Sequence, residues 1–474
     1  MRIAIPCIAA LVLAISSLDA QAPGRPTLSS AVRRYVTIDT TVVALRHVRV
    51  IDGTGAAARQ NQTVLIRDGQ IAALGADGAI PIPDGAQSLD LTGKSIIPGL
   101  VMVHEHLYYP TGSGTYANLS ESFTRLYLAG GVTSMRTGGN MNGYGEINIA
   151  RAIAAGAKPG PWIDATGPYL QGPGLGLVQL HAVSTADEAR RMVNFWADAG
   201  ATSFKAYMHI SRTALRAGIE AAHARGLKVT GHLCSVTYAE AAAAGIDNLE
   251  HGFFASTDFV ADKRPDECRQ QPQAELAAAL DTSSARMKAL IADLVRHDVA
   301  ITSTLTIFET FVPGRPMPPG LDVLVPSLRE DYERRHAALA TRTSAYTELF
   351  AAARAAEVAF VRAGGLLIAG TDPTGGGGVI AGFSNQRALE LLVESGFTPL
   401  EAITIGTLNG ARYLGRDSLV GSIAVGKQAD LVVIDGDPST NIADVRAVEL
   451  VFRQGVGYDP AKLIASVRGR VGLF

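Results

Sequence analysis

The stretch PGLVMVHEHLYYP, residues 98–110, closes an apolar run with two histidines one residue apart. In an extended strand residues i and i+2 project to one face, so His104 and His106 can share a focus about 2 Å from each nitrogen, the length of a Zn–N bond. Two imidazoles are only part of a metal site. His232 in LKVTGHLCS, His251 in GIDNLEHGFF and Asp372 in GGLLIAGTDPTG each stand just past an apolar run of their own, and Lys205 in ATSFKAYMHI ends another. Imidazoles and a carboxylate converging on one point form the donor set of a hydrolytic metal centre, where a bound cation makes water nucleophilic near neutral pH.

Such a set needs a scaffold that ends many strands in one place. After Pro98 short apolar, β-rich pieces alternate with Ala-rich segments of helical period, which implies βα units and a parallel sheet. The spacing predicts eight strands: Leu100–Val103, Val132–Met135, Trp162–Ala165, Ser203–Ala206, Leu227–Thr230, Ile246–Leu249, Val299–Thr302 and Leu366–Ala369. Between them lie helices such as STADEARRMVNFWADAG, with Ser184 as cap, and SRTALRAGIEAAHARG, with Gly226 as stop. Eight strands with intervening helices predict an α/β fold of the (β/α)8 TIM-barrel type, with the active site on the face where the strands end. The irregular stretches 107–119, 253–284 and 306–329 fall on that face.

The flanks have a different texture. Residues 35–97 read as short alternating strands with Asp68-Gly69 as a hairpin turn, and β texture returns from residue 418 to 474. The two pieces are expected to pair as one small discontinuous β-sandwich domain around a barrel of residues 98–417. Residues 1–20, with Arg2 ahead of an apolar stretch and small residues near Ala20, have the grammar of a secretory signal, so the mature protein is expected to be secreted or periplasmic. Export leaves Cys234 and Cys268 in a compartment that permits disulfides, and neighbouring strands can bring them together. The 42 Lys and Arg balance 44 Asp and Glu, with no basic run, so neither nucleic acid nor a membrane surface is implied once the signal is removed. A small-molecule substrate is the expected partner, and a homo-oligomer is compatible with the composition.

Taken together, PGLVMVHEH, Lys205, GHLC, EHG, GTDP and the closing GSIAVGKQADLVVIDGDP resemble the amidohydrolase superfamily, and within it the imidazolonepropionase-related branch that includes prolidase-type dipeptidases. The resemblance implies two divalent metals, zinc by preference. His104, His106 and Asp372 would hold one and His232 and His251 the other. An ordinary lysine ammonium has no lone pair to offer, and the resemblance implies that a CO2-derived carbamate on Lys205 bridges the two ions. It further implies attack on a carbonyl by a hydroxide shared between the metals, with Asp372 as general acid and base. Tyr207, two residues past Lys205, is expected to bind the substrate carbonyl or carboxylate, and Arg136 in TSMRTGG to act as counter-ion to a substrate carboxylate. The activity so implied is hydrolysis of a dipeptide or N-acyl amino acid. The alternatives are a one-metal cyclic-amide hydrolase or deaminase, a lactone or ester hydrolase, and a non-catalytic binding protein, which would be expected to have lost a ligand.

Overall fold

The computed structural model describes residues 25–111, 115–177 and 179–472. The signal segment expected at residues 1–20 lies outside them. The fold is mixed α/β with parallel sheets. Eight parallel strands carry the centre: β1 (Leu100–Glu105), β2 (Val132–Thr137), β3 (Trp162–Asp164), β4 (Ser203–Ala206), β5 (Lys228–Gly231), β6 (Asn248–Glu250), β7 (Ala300–Ser303) and β8 (Leu367–Ala369). β1, β2 and β3 pair in order, with Met135 opposite Met102 and Ile163, and β4 to β8 pair in order from Lys205↔Thr230 to Thr302↔Ile368. Past β3 the chain bridges Thr166 to Ser203 of β4, and past β8 the Thr371 amide donates to the His104 carbonyl at 3.0 Å. Each strand's hydrogen bonding thus continues into the next, and the last meets the first.

Helices form where the sequence supplies both a cap and an apolar stripe. The helix Ala186–Ala199 starts one residue later than expected. Thr185 is its cap, accepting from the Glu188 amide at 3.2 Å, while the Glu188 carboxylate reaches back to the amides of Ser184 and Thr185. Ala189 and Val193 are its buried face. Helix Arg212–His223 is capped by Ser211 and stops before Gly226, whose φ of 68° ends the connection to β5.

The chain ends build one nine-stranded sheet. Its central contact is antiparallel pairing of Lys94–Pro98 with Leu431–Asp435, Val432 opposite Ile97, so segments from both termini share one ladder. Val43, Leu45, Val64, Ile66, Ile96, Leu431, Val433 and Phe452 pack as its core, separate from the core of the central strands. Asp68 (φ 49°) and Gly69 (φ 84°) make the tight turn between Arg59–Arg67 and Gln70–Ala76, the left-handed pair such a hairpin requires. Hydrogen bonding between the two pieces runs through a single sheet.

Candidate metal centre

The C-terminal ends of the eight strands bring the expected residues together. His104 closes β1 and His106 follows it; Lys205 lies in β4, His232 follows β5, His251 follows β6, and Asp372 lies in the turn after β8. Asp372 Oδ1 stands 3.1 Å from His106 Nε2 and 3.7 Å from His104 Nε2, and its Oδ2 stands 3.7 Å from His251 Nδ1. The rings of His104 and His251 are 4.7 Å apart, and those of His232 and His251 4.4 Å. His232 is half-buried at the outer edge; the others are buried.

Backbone geometry makes this crowding possible. Gly138 and Gly370 sandwich His104: a Cβ on Gly138 would lie 2.4 Å from its ring, and one on Gly370 2.5 Å from its Cβ. His251 and Asp372 adopt φ of 70° and 57°, a left-handed conformation costly for residues other than glycine and commonest where a site demands it. Between the paired histidines, Glu105 points the other way. Its carboxylate accepts from Thr371 and from Asn385 Nδ2 at 2.9 Å, and burial pushes its pKa up to about 8. It ties β1 to the turn that carries Asp372.

The electrostatics favour ligands ready to bind. Burial, with neighbouring positive charge, lowers His106 to about 4, His232 to about 3 and His251 well below its ordinary value, so these imidazoles are neutral and keep a lone pair at pH 7. Burial alone would raise Asp372, yet its contacts with His104 and His106 outweigh that and hold it ionised. Both ring nitrogens of His104 and Nδ1 of His106 are buried without a hydrogen-bond partner. Buried polar atoms are normally satisfied, so orphaned nitrogens facing a carboxylate fit a cation as the missing partner. Among the described residues two donor groups lie close enough to hold an ion: His104, His106 and Asp372, and His104, Glu250 and His251.

Glu250 is the residue that sequence reasoning missed, although it stands next to His251 in the same motif. It is fully buried, contacts Lys205 Nζ directly, and lies 3.4 Å from His104 Nδ1. Burial pushes its carboxyl up, but Lys205, His104 and Arg136 together hold it below the usual carboxylate range. Tyr108 and Tyr169 were missed as well. Tyr108 stacks on His106 with centroids 4.4 Å apart, and its hydroxyl meets that of Tyr169 at 2.5 Å.

Arg136 is a correction. It does not face a substrate: it is 1% exposed inside the ring of strands, and its guanidinium donates to Ser203 Oγ, the Val103 and Phe204 carbonyls, Glu250 Oε1 and Thr230 Oγ1. All five N–H groups are engaged, so none remains for a substrate carboxylate. Its position within β2, rather than past the strand's end, sets it a layer below the histidines. Tyr207 does stand at the mouth, half-buried, its ring 5.0 Å from that of His232 and 4.9 Å from that of Tyr169. Cys234, two residues past His232, forms a disulfide with Cys268, Cα to Cα 4.8 Å.

Parallel strands ending in a His–Asp cluster define the class: an α/β fold bearing a candidate metal centre. Residues 333–456 match the model of the amidohydrolase family. A Bifidobacterium longum protein described as a prolidase is 26% identical over 90% of this chain and 98% of its own, with a TM-score of 0.65. A Xaa-Pro dipeptidase, solved with methionine in its active site, shares the fold at 19% identity and a TM-score of 0.67, over 88% of this chain and all of its own. Among curated proteins, the dihydroorotase of Mycobacterium tuberculosis is 39% identical over 79 residues. That match spans 17% of either chain.

Proposed function

We propose that the protein is an exported, binuclear, metal-dependent amidohydrolase that cleaves a small amide, a dipeptide or an N-acyl amino acid. The observation that carries this reading is the convergence of His104, His106, His232, His251, Lys205 and Asp372 at the ends of strands that we take to close as a (β/α)8 barrel beside a β-sandwich. His104, His106 and Asp372 would hold one ion and His232 and His251 the other, with a carbamate on Lys205 between them. The nitrogen and oxygen donors suit zinc. Divalent ions held there would supply an activated water and polarise a substrate carbonyl. The chain's own residues do the rest. Asp372, kept ionised, takes the proton of the attacking water on a carboxylate oxygen and returns it to the leaving amine nitrogen. Tyr207 at the mouth presents its hydroxyl to the substrate's carbonyl or carboxylate end. Export is supported by the composition of residues 1–20 and by the Cys234–Cys268 disulfide, a bond characteristic of oxidising compartments.

One observation favours a second reading. Lys205 contacts Glu250 as an amine, and a carbamate there would be an anion facing a buried carboxylate, leaving Arg136, 3.2 Å away, as the cation beside Glu250. If Lys205 stays an ammonium, a single ion on His104, His106, His232 and Asp372 would suit a cyclic-amide hydrolase, deaminase or lactonase. Lys205→Ala separates the two. The binuclear reading expects loss of at least one metal and of activity, with partial recovery in acetate; the one-metal reading expects metal and activity retained and indifference to acetate. Substrate class is tested by incubating protein reconstituted with zinc and bicarbonate with a library of dipeptides and N-acyl amino acids and measuring released amines by mass spectrometry. Release of amine from none of them contradicts the proposal.

A further inference from the structure

Beside the metal centre lies a cavity of about 200 Å³ whose wall includes His232 itself. The floor is aromatic: Phe254 and Phe308 stack face to face with centroids 3.6 Å apart, and Phe308 also lies 5.9 Å from the ring of His251. The cavity therefore opens directly onto His232, and one wall ring, Phe308, separates it from His251. Its rim comes from the segment after β6, which supplies Ser256, Thr257 and the glutamines 270, 271 and 273. Gln271 Nε2 is buried and has no hydrogen-bond partner, a donor in want of an acceptor. Among the described residues no Asp, Glu, Lys or Arg lines this space. The Cys234–Cys268 disulfide anchors the same segment to the end of β5, two residues before Gln270.

At this size the cavity takes one side chain or ring rather than a whole substrate. A charged group entering it would lose its hydration and meet no counter-charge, whereas a flat apolar group would lie against Phe254 and Phe308, and a carbonyl on it could accept from Gln271. We infer that this cavity is the specificity pocket, and that it selects substrates whose group beside the scissile amide is uncharged, flat or amide-bearing over cationic and anionic ones. The inference rests on the hydrolase reading for the word substrate, but its test does not require turnover.

The test is calorimetric titration of the zinc-reconstituted protein with L-phenylalanine, L-glutamine, L-glutamate and L-lysine. Phenylalanine and glutamine should bind about tenfold or more tighter than glutamate and lysine, because glutamine and glutamate share shape and differ in charge. Gln271→Glu should bring lysine to at least the affinity of glutamine. Gln271→Leu should weaken glutamine and leave phenylalanine unchanged. Binding that ignores charge, an order that both variants leave intact, or no binding by any of the four would overturn the inference. Failure of the hydrolase reading shows elsewhere, as absence of amine release from the library.

Discussion

Two buried clusters of charged side chains lie in this molecule, and they differ in how completely each is satisfied. One is the His–Asp–Glu centre at the strand ends. The other joins the segment after β7 to the helix Phe383–Ser395: Arg387 donates to both oxygens of Glu309 at 3.0 and 2.7 Å and to Glu390 at 2.7 Å, and pairs with Glu394 at 2.6 Å. Arg315 closes on Glu309 and Glu394 at 2.6 Å, and Arg446 joins through Glu390. Every carboxylate there has a guanidinium. At the strand ends, by contrast, histidine nitrogens stand orphaned and two ligand residues hold left-handed backbones. Burial and charge are common to both clusters; the unmet donor and the strained backbone mark the functional one.

The contrast can be broken from either side. The largest effect should come from His104→Ala, which removes a candidate ligand whose ring nitrogens have no hydrogen-bond partner. Hydrolysis should fall by roughly a thousandfold or more, with metal lost and the melting temperature of metal-free protein unchanged or raised. Arg387→Met should do the reverse. It removes the guanidinium that joins buried Glu309 and Glu390 to Glu394, leaving Arg315 and Arg446 as their remaining partners, at a cost of about 1–3 kcal/mol in urea unfolding, while metal content per folded chain stays the same. A large stability loss in the first variant, or metal loss in the second, would erase the distinction.

The same comparison explains what could be read in advance. Six candidate ligand positions were legible because each ends or follows an apolar run, and a side chain at the end of a buried strand can project to the mouth. Arg136 and Glu250 were misjudged or missed because they pair with each other in the buried interior of the strands, a contact between distant segments. β6 was expected at Ile246–Leu249 and spans Asn248–Glu250, since Ile246 packs in the turn before the strand while two of its three members, Asn248 and Glu250, are polar. Asn248 accepts from Thr302 at 3.0 Å, and Glu250 is paired by Arg136. An interior layer of hydrogen-bonded polar residues leaves no apolar signature, so hydrophobic periodicity places the strand too early. The discontinuous end sheet was legible in its texture, but a single ladder through both termini is a matter of register, which no local pattern states.

Smaller effects sharpen the picture. Cys234→Ala with Cys268→Ala opens a disulfide of sequence separation 34, worth roughly 3–4 kcal/mol in the chain-entropy model, and should loosen the glutamine rim without altering metal content. Chemical denaturation and elemental analysis on one preparation read both. Glu146, beneath Asn142 at 3.2 Å, is pushed by burial from 4.5 to about 8. Between those values the folded state holds more protons than the unfolded, so stability falls as pH rises through the window. Glu146→Gln should flatten that fall by on the order of 1–3 kcal/mol at pH 8 and change little at pH 5, in melts followed across the range. An unchanged slope would remove Glu146 as its source.

The most direct test of the central claim, that the orphaned nitrogens and Asp372 exist to hold metal, is elemental analysis of protein refolded with excess zinc and bicarbonate. The account predicts near two divalent ions per chain, falling in His104→Ala and His232→Ala and unchanged in Arg387→Met. A reproducible value of one would contradict the binuclear centre, and a value near zero would contradict the metal site itself.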